Sequence, residues 1–387
     1  MNRRQFLNTS ASALAASFVM SKIAKADDGP IKIGSVISVT GPSAYLGDPI
    51  DKTLKLYVPK INAMGGVLGR KLELVIYDDA GDANKGNTFT KRLLDADKVD
   101  VLIAGNTTGV SMAILPLAES REVPFISLAG GRSIIEPVRK WVFKVPATDK
   151  MAAERVFAHI KSQALKKLAI LSETSGFGKS GRAAAVEVAK NLGLEVVADE
   201  SYGPKDTDML AQLTNIRGSG AEAVYIIGTN PGTAIATKNF RQLSLSQALY
   251  HANGVTSDEF IRLSGGAAEG VIAPSSPLSI VDQLQKDDPQ YTLLTDYDKA
   301  YREAYNEPAV VYGGGGLDGL LLYIDAVKRA GSTEKTAVRD AIEKTQNFVT
   351  TAGIVNMTAD DHLGLDERAF RLVTVKDGRW TPLAEAN

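Results

Sequence analysis

Three short stretches carry the residue types that hold a small anion without a dedicated side-chain charge. They are Thr40-Gly41-Pro42-Ser43-Ala44-Tyr45-Leu46-Gly47, Gly105-Asn106-Thr107-Thr108-Gly109 and Ser127-Leu128-Ala129-Gly130-Gly131-Arg132-Ser133. Backbone N–H groups left open at a helix start, helped by a hydroxyl, bind a carboxylate through the helix dipole and direct hydrogen bonds. Ser, Thr and Gly are also ordinary helix caps, so one such loop alone carries little weight. Three of them at successive strand ends point to a site.

The chemistry this pattern implies is binding rather than turnover. No Gly-x-Ser-x-Gly, Walker-type loop or His-Glu-x-x-His occurs. His159 falls in a helical pattern, His362 in an acidic loop, and His251 at the end of a strand from which it faces a cleft or the core. Asp78-Asp79 follows a strand and reads as capping rather than a metal pair. Gly313-Gly314-Gly315-Gly316 lacks a following Lys-Ser/Thr, so it reads as close backbone approach. With three His and no Cys, no structural zinc and no cofactor is expected.

The elements that must position these loops follow from periodicity. Ile31 to Ile37 is a strand; Ile50, Leu54, Tyr57 and Ile61 recur at helical spacing; Leu72 to Tyr77 is a second strand. A helix over Lys85–Asp95, a strand over Val99–Ala104, a helix over Met112–Arg121 and a strand over Pro124–Ser127 continue the alternation. It restarts with helices over Val156–Gln163, Gly181–Leu192, Met209–Arg217 and Thr233–Leu243, alternating with strands near 167–171, 195–198, 223–227 and 248–251. Helices over Tyr297–Tyr305 and Leu317–Ala330 follow. Such alternation predicts an α/β fold with parallel sheets covered on both faces, and the length asks for two lobes.

The first 26 residues read as an address. Arg3-Arg4 in a twin-arginine-like setting, an apolar stretch over Ala11–Met20 and Ala24-Lys25-Ala26 form a leader with no acidic residue. Its removal leaves 361 of 387 residues, and 40 basic residues against 45 acidic, a charge of −5. A mildly acidic chain argues against nucleic acid as a partner.

Ile31-Lys32-Ile33-Gly34, then Thr40-Gly41-Pro42, then Asn62-Ala63-Met64-Gly65-Gly66-Val67-Leu68-Gly69-Arg70-Lys71-Leu72 running into Tyr77-Asp78-Asp79, and later Val123-Pro124-Phe125-Ile126-Ser127, together resemble the type I periplasmic binding proteins of the leucine/isoleucine/valine-binding kind. The resemblance spans the whole chain after the leader. It implies two Rossmann-like lobes joined by a three-stranded hinge, here over 27–147 with 277–352 and 148–276 with 353–387. It also implies a periplasmic monomer that hands a ligand to the permease of an ATP-driven (ABC-type) importer; a periplasmic sensing module on the same fold is the alternative.

Carried over by position, the resemblance implies a site of Tyr45 or Leu46 over the ligand and Thr108 with Thr107 at its carboxylate. Backbone groups come from Ala129, Gly130 and Gly131, and Phe177 closes from the second lobe. Asp149, Thr229, Asn230 and Asn253 complete it, with Val311 and Tyr312 at the hinge side. Asn253 stands where amino-acid binders usually place an acid against the ligand ammonium, leaving Asp149 as the other candidate. Arg132 either clamps a carboxylate or points to solvent. Extra room at Gly130-Gly131 is expected to suit a larger acid. Branched-chain amino acids and aromatic or other amine-free carboxylates are therefore rival ligands, with the second preferred.

Overall fold

A computed structural model describes residues 29–384; the leader expected over residues 1–26 lies outside them. Strand and helix alternate from the start: β1 Ile31–Ile37, α1 Ala44–Ala63, β2 Leu72–Asp78, α2 Ala83–Arg92, β3 Val101–Ala104, α3 Thr108–Arg121, β4 Phe125–Ser127 and β5 Val142–Lys144. The strands lie in the order β2-β1-β3-β4-β5, all parallel. Neighbouring positions go to opposite faces. Ile33, Val101, Ile103 and Ile126 pack towards Leu54 and Val58 of α1. Val36, Leu102 and Phe125 pack towards Val110 and Ile114 of α3.

The second lobe repeats this build with α4 Asp149–Ser162, β6 Lys167–Glu173, α5 Gly176–Leu192, β7 Glu195–Tyr202, α6 Leu210–Gly218, β8 Ala223–Ile227, α7 Gly232–Gln242, β9 Ala248–His251, α8 Asp258–Ser264 and β10 Ile272–Ser275. The chain then returns through α9 Tyr291–Tyr305, α10 Val311–Ala330 and α11 Lys335–Glu343, and the hairpin of β11 Phe348–Val349 and β12 Ile354–Val355. Leu320, Tyr323 and Ile342 from α10 and α11 finish the first-lobe core. Finally β13 Arg371–Lys376 and β14 Arg379–Pro382 join the second sheet antiparallel, giving the order β14-β13-β10-β9-β8-β6-β7.

The last crossing comes later than the boundary expected at residue 353. Val355 and Met357 are buried in the first-lobe core, and Leu363 packs on its other face. His362 is buried rather than in a surface loop, its ring 4.3 Å from that of Phe143 and its Nδ1 2.8 Å from the Val142 carbonyl. These apolar positions serve the first core, so the chain crosses near Ala369 and Phe370, which pack with Ala147 and Ala152.

Several helices begin before their apolar periodicity. α3 starts at Thr108, α4 at Asp149, α5 at Gly176 and α10 at Val311, against expected starts at Met112, Val156, Gly181 and Leu317. Side-chain caps set the first three: Thr107 accepts from the Val110 N–H, Thr148 from Met151 and Ser175 from Gly178. The glycine run therefore lies inside α10, where close approach does require it. A Cβ at Gly313 would stand 2.5 Å from the Tyr297 hydroxyl, and one at Gly314 2.5 Å from Thr351 Oγ1.

Candidate functional site

The carboxyl ends of the two parallel sheets face each other across a cleft, where a doubly wound sheet binds ligands. A cavity of about 490 Å3 lies between them, within the range of small-molecule sites. Leu46, Thr107, Thr108 and Gly130 line it from the first lobe, Phe177, Thr229, Asn230 and Asn253 from the second, and Val311 and Tyr312 from the start of α10. Tyr45, Ala129, Gly131 and Asp149, also expected at the site, are not among the lining residues.

Thr108 opens α3, is 2 % exposed, and its Oγ1 has no protein partner. Its neighbour Thr107 holds the Val110 N–H at 3.3 Å, so the first-turn amides and the Thr108 hydroxyl share one end of the helix. Gly131 backs this arrangement. A Cβ there would lie 2.6 Å from Thr108 Cγ2, and one on Gly130 would lie 3.0 Å from the Phe177 ring and 3.5 Å from Asn253 Nδ2. The room expected at Gly130-Gly131 is thus already filled by Thr108, Phe177 and Asn253.

The lobes touch at several points. The Asn230 amide donates across the cleft to the Tyr45 hydroxyl at 3.2 Å, and within the first lobe Tyr45 meets Tyr312 edge-on at 5.6 Å. The Tyr312 hydroxyl donates to the Gly254 carbonyl at 3.1 Å. Arg132 is not among the lining residues and does not point to solvent. Its Nη2 lies 2.5 Å from Glu187 Oε2 on α5, across the cleft, and this pairing holds the Glu187 carboxyl below its ordinary range.

Asp149 is withdrawn behind the wall. Its Oδ1 accepts from the Arg132 amide at 3.1 Å, and its charge partner is the buried Lys144. Burial pushes the Asp149 carboxyl up and the Lys144 ammonium down, the latter to about 7, each opposed by the other's charge. Lys144 donates to the Pro146 and Ala147 carbonyls at the first crossing. His251 does not face the cleft: it is fully buried, 3.0 Å from Thr237 Oγ1, and burial holds it down to about 3. Asp78 accepts from the amides of Val39, Thr40 and Ala80, and Asp79 from the Ser38 hydroxyl and Gly81 amide, which is the capping role.

Two acids in the cavity wall escaped the sequence reading. Glu173, the last residue of β6, is 4 % exposed and accepts from Ser175 Oγ at 2.8 Å and Thr229 Oγ1 at 3.1 Å; burial raises its carboxyl. Asp318 of α10 accepts from the Thr351 amide and hydroxyl, both at 2.7 Å, and burial raises it to about 7. The available signal for Glu173 was its place at a strand's carboxyl end, two residues before a helix cap.

Two covered sheets built mainly of parallel strands, three crossings and an interlobe cavity define a two-lobed binding protein. Residues 30–379 match the model of the periplasmic binding protein family, and the chain belongs to that family. A Leu/Ile/Val-binding protein homolog from Brucella melitensis is 25% identical over 371 residues, covering 95% of this chain and 96% of the relative. An extracellular ligand-binding receptor from Rhodopseudomonas palustris superposes with a TM-score of 0.86 at 29% identity, over 92% of this chain and all of its own. The leucine binding protein LivK of Thermotoga maritima shares the fold, with a TM-score of 0.81 at 24% identity over 92% and 98% of the two chains. These likenesses are to binding proteins rather than enzymes.

Proposed function

We propose that this chain is an exported solute-binding protein that captures a small organic carboxylate between its lobes in the periplasm and delivers it, as a monomer, to the permease of an ABC-type importer. The observation that carries this reading is the buried, unpartnered hydroxyl of Thr108, a residue at the start of α3 that lines the interlobe cavity. A polar group left without a partner in a closed core is costly, and a ligand carboxylate accepting from Thr108 and the first-turn amides removes that cost. Phe177, Leu46 and Tyr312 supply the apolar wall.

A hydrophobic amino acid is the leading ligand, as the names of the relatives suggest. Aromatic amine-free acids form the second reading, favoured by the uncharged Asn253 in the second-lobe wall. A thermal-shift screen of the protein from Asp27 onward, refolded to strip carried ligand, tests both through mass action. Stabilisation by leucine, isoleucine or valine supports the first reading, and stabilisation by benzoate-type acids alone supports the second. Thr108→Val should weaken whichever ligand is found by about tenfold, the worth of one charge-assisted hydrogen bond. Unchanged affinity in that variant refutes carboxylate capture at α3.

A further inference from the structure

We infer that Glu173 supplies the negative charge that receives the ammonium group of the ligand, a role that Asn253 cannot fill, and that it makes this receptor select amino acids over the matching amine-free acids. The inference rests on the carboxylate-capture reading above and names a second anchor in the same cavity.

Glu173 faces the cavity with unused capacity. A carboxylate offers about four acceptor sites. Oε2 takes the Ser175 and Thr229 hydroxyls at 2.8 and 3.1 Å, the Thr229 hydroxyl lies 3.5 Å from Oε1, and the Thr229 amide also favours the charged carboxylate. Among the described residues no Lys, Arg or His pairs with it; Lys205, which also lines the cavity, is exposed and makes no ion pair. A buried carboxylate without a counter-charge is expensive, and the neutral donors of Ser175 and Thr229 lower that cost without removing it. A cation arriving in the cavity does.

The neighbouring strand ends put the rest of an ammonium site beside it. β8 lies between β6 and β9, and its end is bare backbone at Gly228. A Cβ on Gly228 would stand 3.1 Å from the Glu173 Cβ and run into the Tyr202 hydroxyl; one on Gly254 would stand 2.7 Å from the Gly228 carbonyl. Glu173 and Asn253 therefore flank the same glycine-lined wall. Asn253 Oδ1 is buried and unpartnered, and it can accept from a second ammonium N–H.

The other acids are spoken for. Asp149 lies behind the wall with Lys144, and both Asp318 oxygens are taken by Thr351. An amine-free acid bound at Thr108 would bring a second negative charge into the cavity with Glu173 and nothing to offset it. Like charges so placed discriminate by repulsion as well as by the missing contact.

The test is calorimetric titration of the refolded, ligand-stripped chain with two matched pairs: L-leucine against 4-methylpentanoate, and L-phenylalanine against 3-phenylpropanoate. The wild type should prefer the amino acid of at least one pair by about 100-fold. Glu173→Gln should weaken that amino acid by about 100-fold, hold or improve the amine-free partner, and melt as the wild type does. Adding Asn253→Asp to that variant should restore part of the amino-acid affinity. A Glu173→Gln protein that binds the amino acid within about threefold of wild type, or that loses both members of a pair equally, overturns the inference and leaves carboxylate capture standing. A wild type that prefers the amine-free members also overturns it. Wild-type binding of neither pair overturns this inference, and the thermal-shift screen above then decides whether carboxylate capture stands.

Discussion

Replacing Glu187 by Gln removes an ion pair that exists only while the lobes are together. Arg132 and Glu187 sit on opposite lobes, 2.5 Å apart, with the Arg132 side chain 17 % exposed and Glu187 42 %. Exposed pairs contribute about 0.2–1 kcal/mol. The largely covered guanidinium and the short contact put this one near the top of that range, about 1 kcal/mol after solvent screening. Glu136, 3.7 Å from the other Arg132 nitrogen and in the same lobe, keeps the arginine partly satisfied. A contact that forms only when the lobes come together on a ligand gives the whole of its worth to ligand affinity. Glu187→Gln should therefore weaken binding about fivefold in low salt. In about 1 M NaCl the Debye length is only ~3 Å, and the difference should shrink below about twofold. Calorimetry at both salt concentrations, with Arg132→Gln and the double variant completing a cycle, reads the effect directly. Unchanged affinity in low salt refutes the reasoning, as does a loss that persists undiminished in high salt.

Gly313→Ala should destabilise by about 1 kcal/mol, because the overpacking at Tyr297, Thr53 and the Pro49 carbonyl exceeds the gain in helix propensity. Gly315→Ala, whose Cβ meets only Pro146 Cγ at 3.8 Å, should stabilise by up to ~1 kcal/mol; urea unfolding that ranks the two the other way contradicts the glycine argument. Asp318→Asn tests the buried acid. Burial raises its folded pKa to about 7 from about 3.9 unfolded. Between those values the native state holds a proton that the unfolded chain has lost, so stability falls as pH rises through that window. The variant should gain on the wild type from pH 4.5 to pH 8, by on the order of 2 kcal/mol, and parallel melting curves across that range count against it.

The two α/β lobes were legible because their strands are continuous β-branched runs and their long helices carry apolar stripes. The helix starts were not, and the reason is the site itself. Thr108-Gly109, Gly176-Phe177-Gly178 and Val311-Tyr312-Gly313 are poor helix formers. They enter the helix because caps and close packing hold them there, and Thr108, Gly109, Gly176, Phe177, Val311 and Tyr312 line the cavity. Thr108, Phe177, Asn230 and Asn253 came from matching a family pattern residue by residue. Glu173 and Asp318 could not be found that way: a charged residue closing an apolar strand, or sitting inside a helix, looks solvated until the opposing lobe is placed over it. Asp149 failed in the opposite sense, since nothing in the sequence shows that Arg132 and Lys144 draw it behind the wall.

The late return of the chain has a consequence for how the molecule is made. The second sheet is finished only by β13 and β14, and Trp380 stacks on Phe260 at 5.9 Å to complete that core. The first lobe in turn waits for α10, α11 and β12. Neither half is a contiguous stretch of sequence, so the first lobe cannot finish before β12 has been made, nor the second before β14. Loss of even the terminal hairpin would strand both β10 and Phe260, and a nascent chain arrested there would carry an open sheet edge of the kind that templates aggregation.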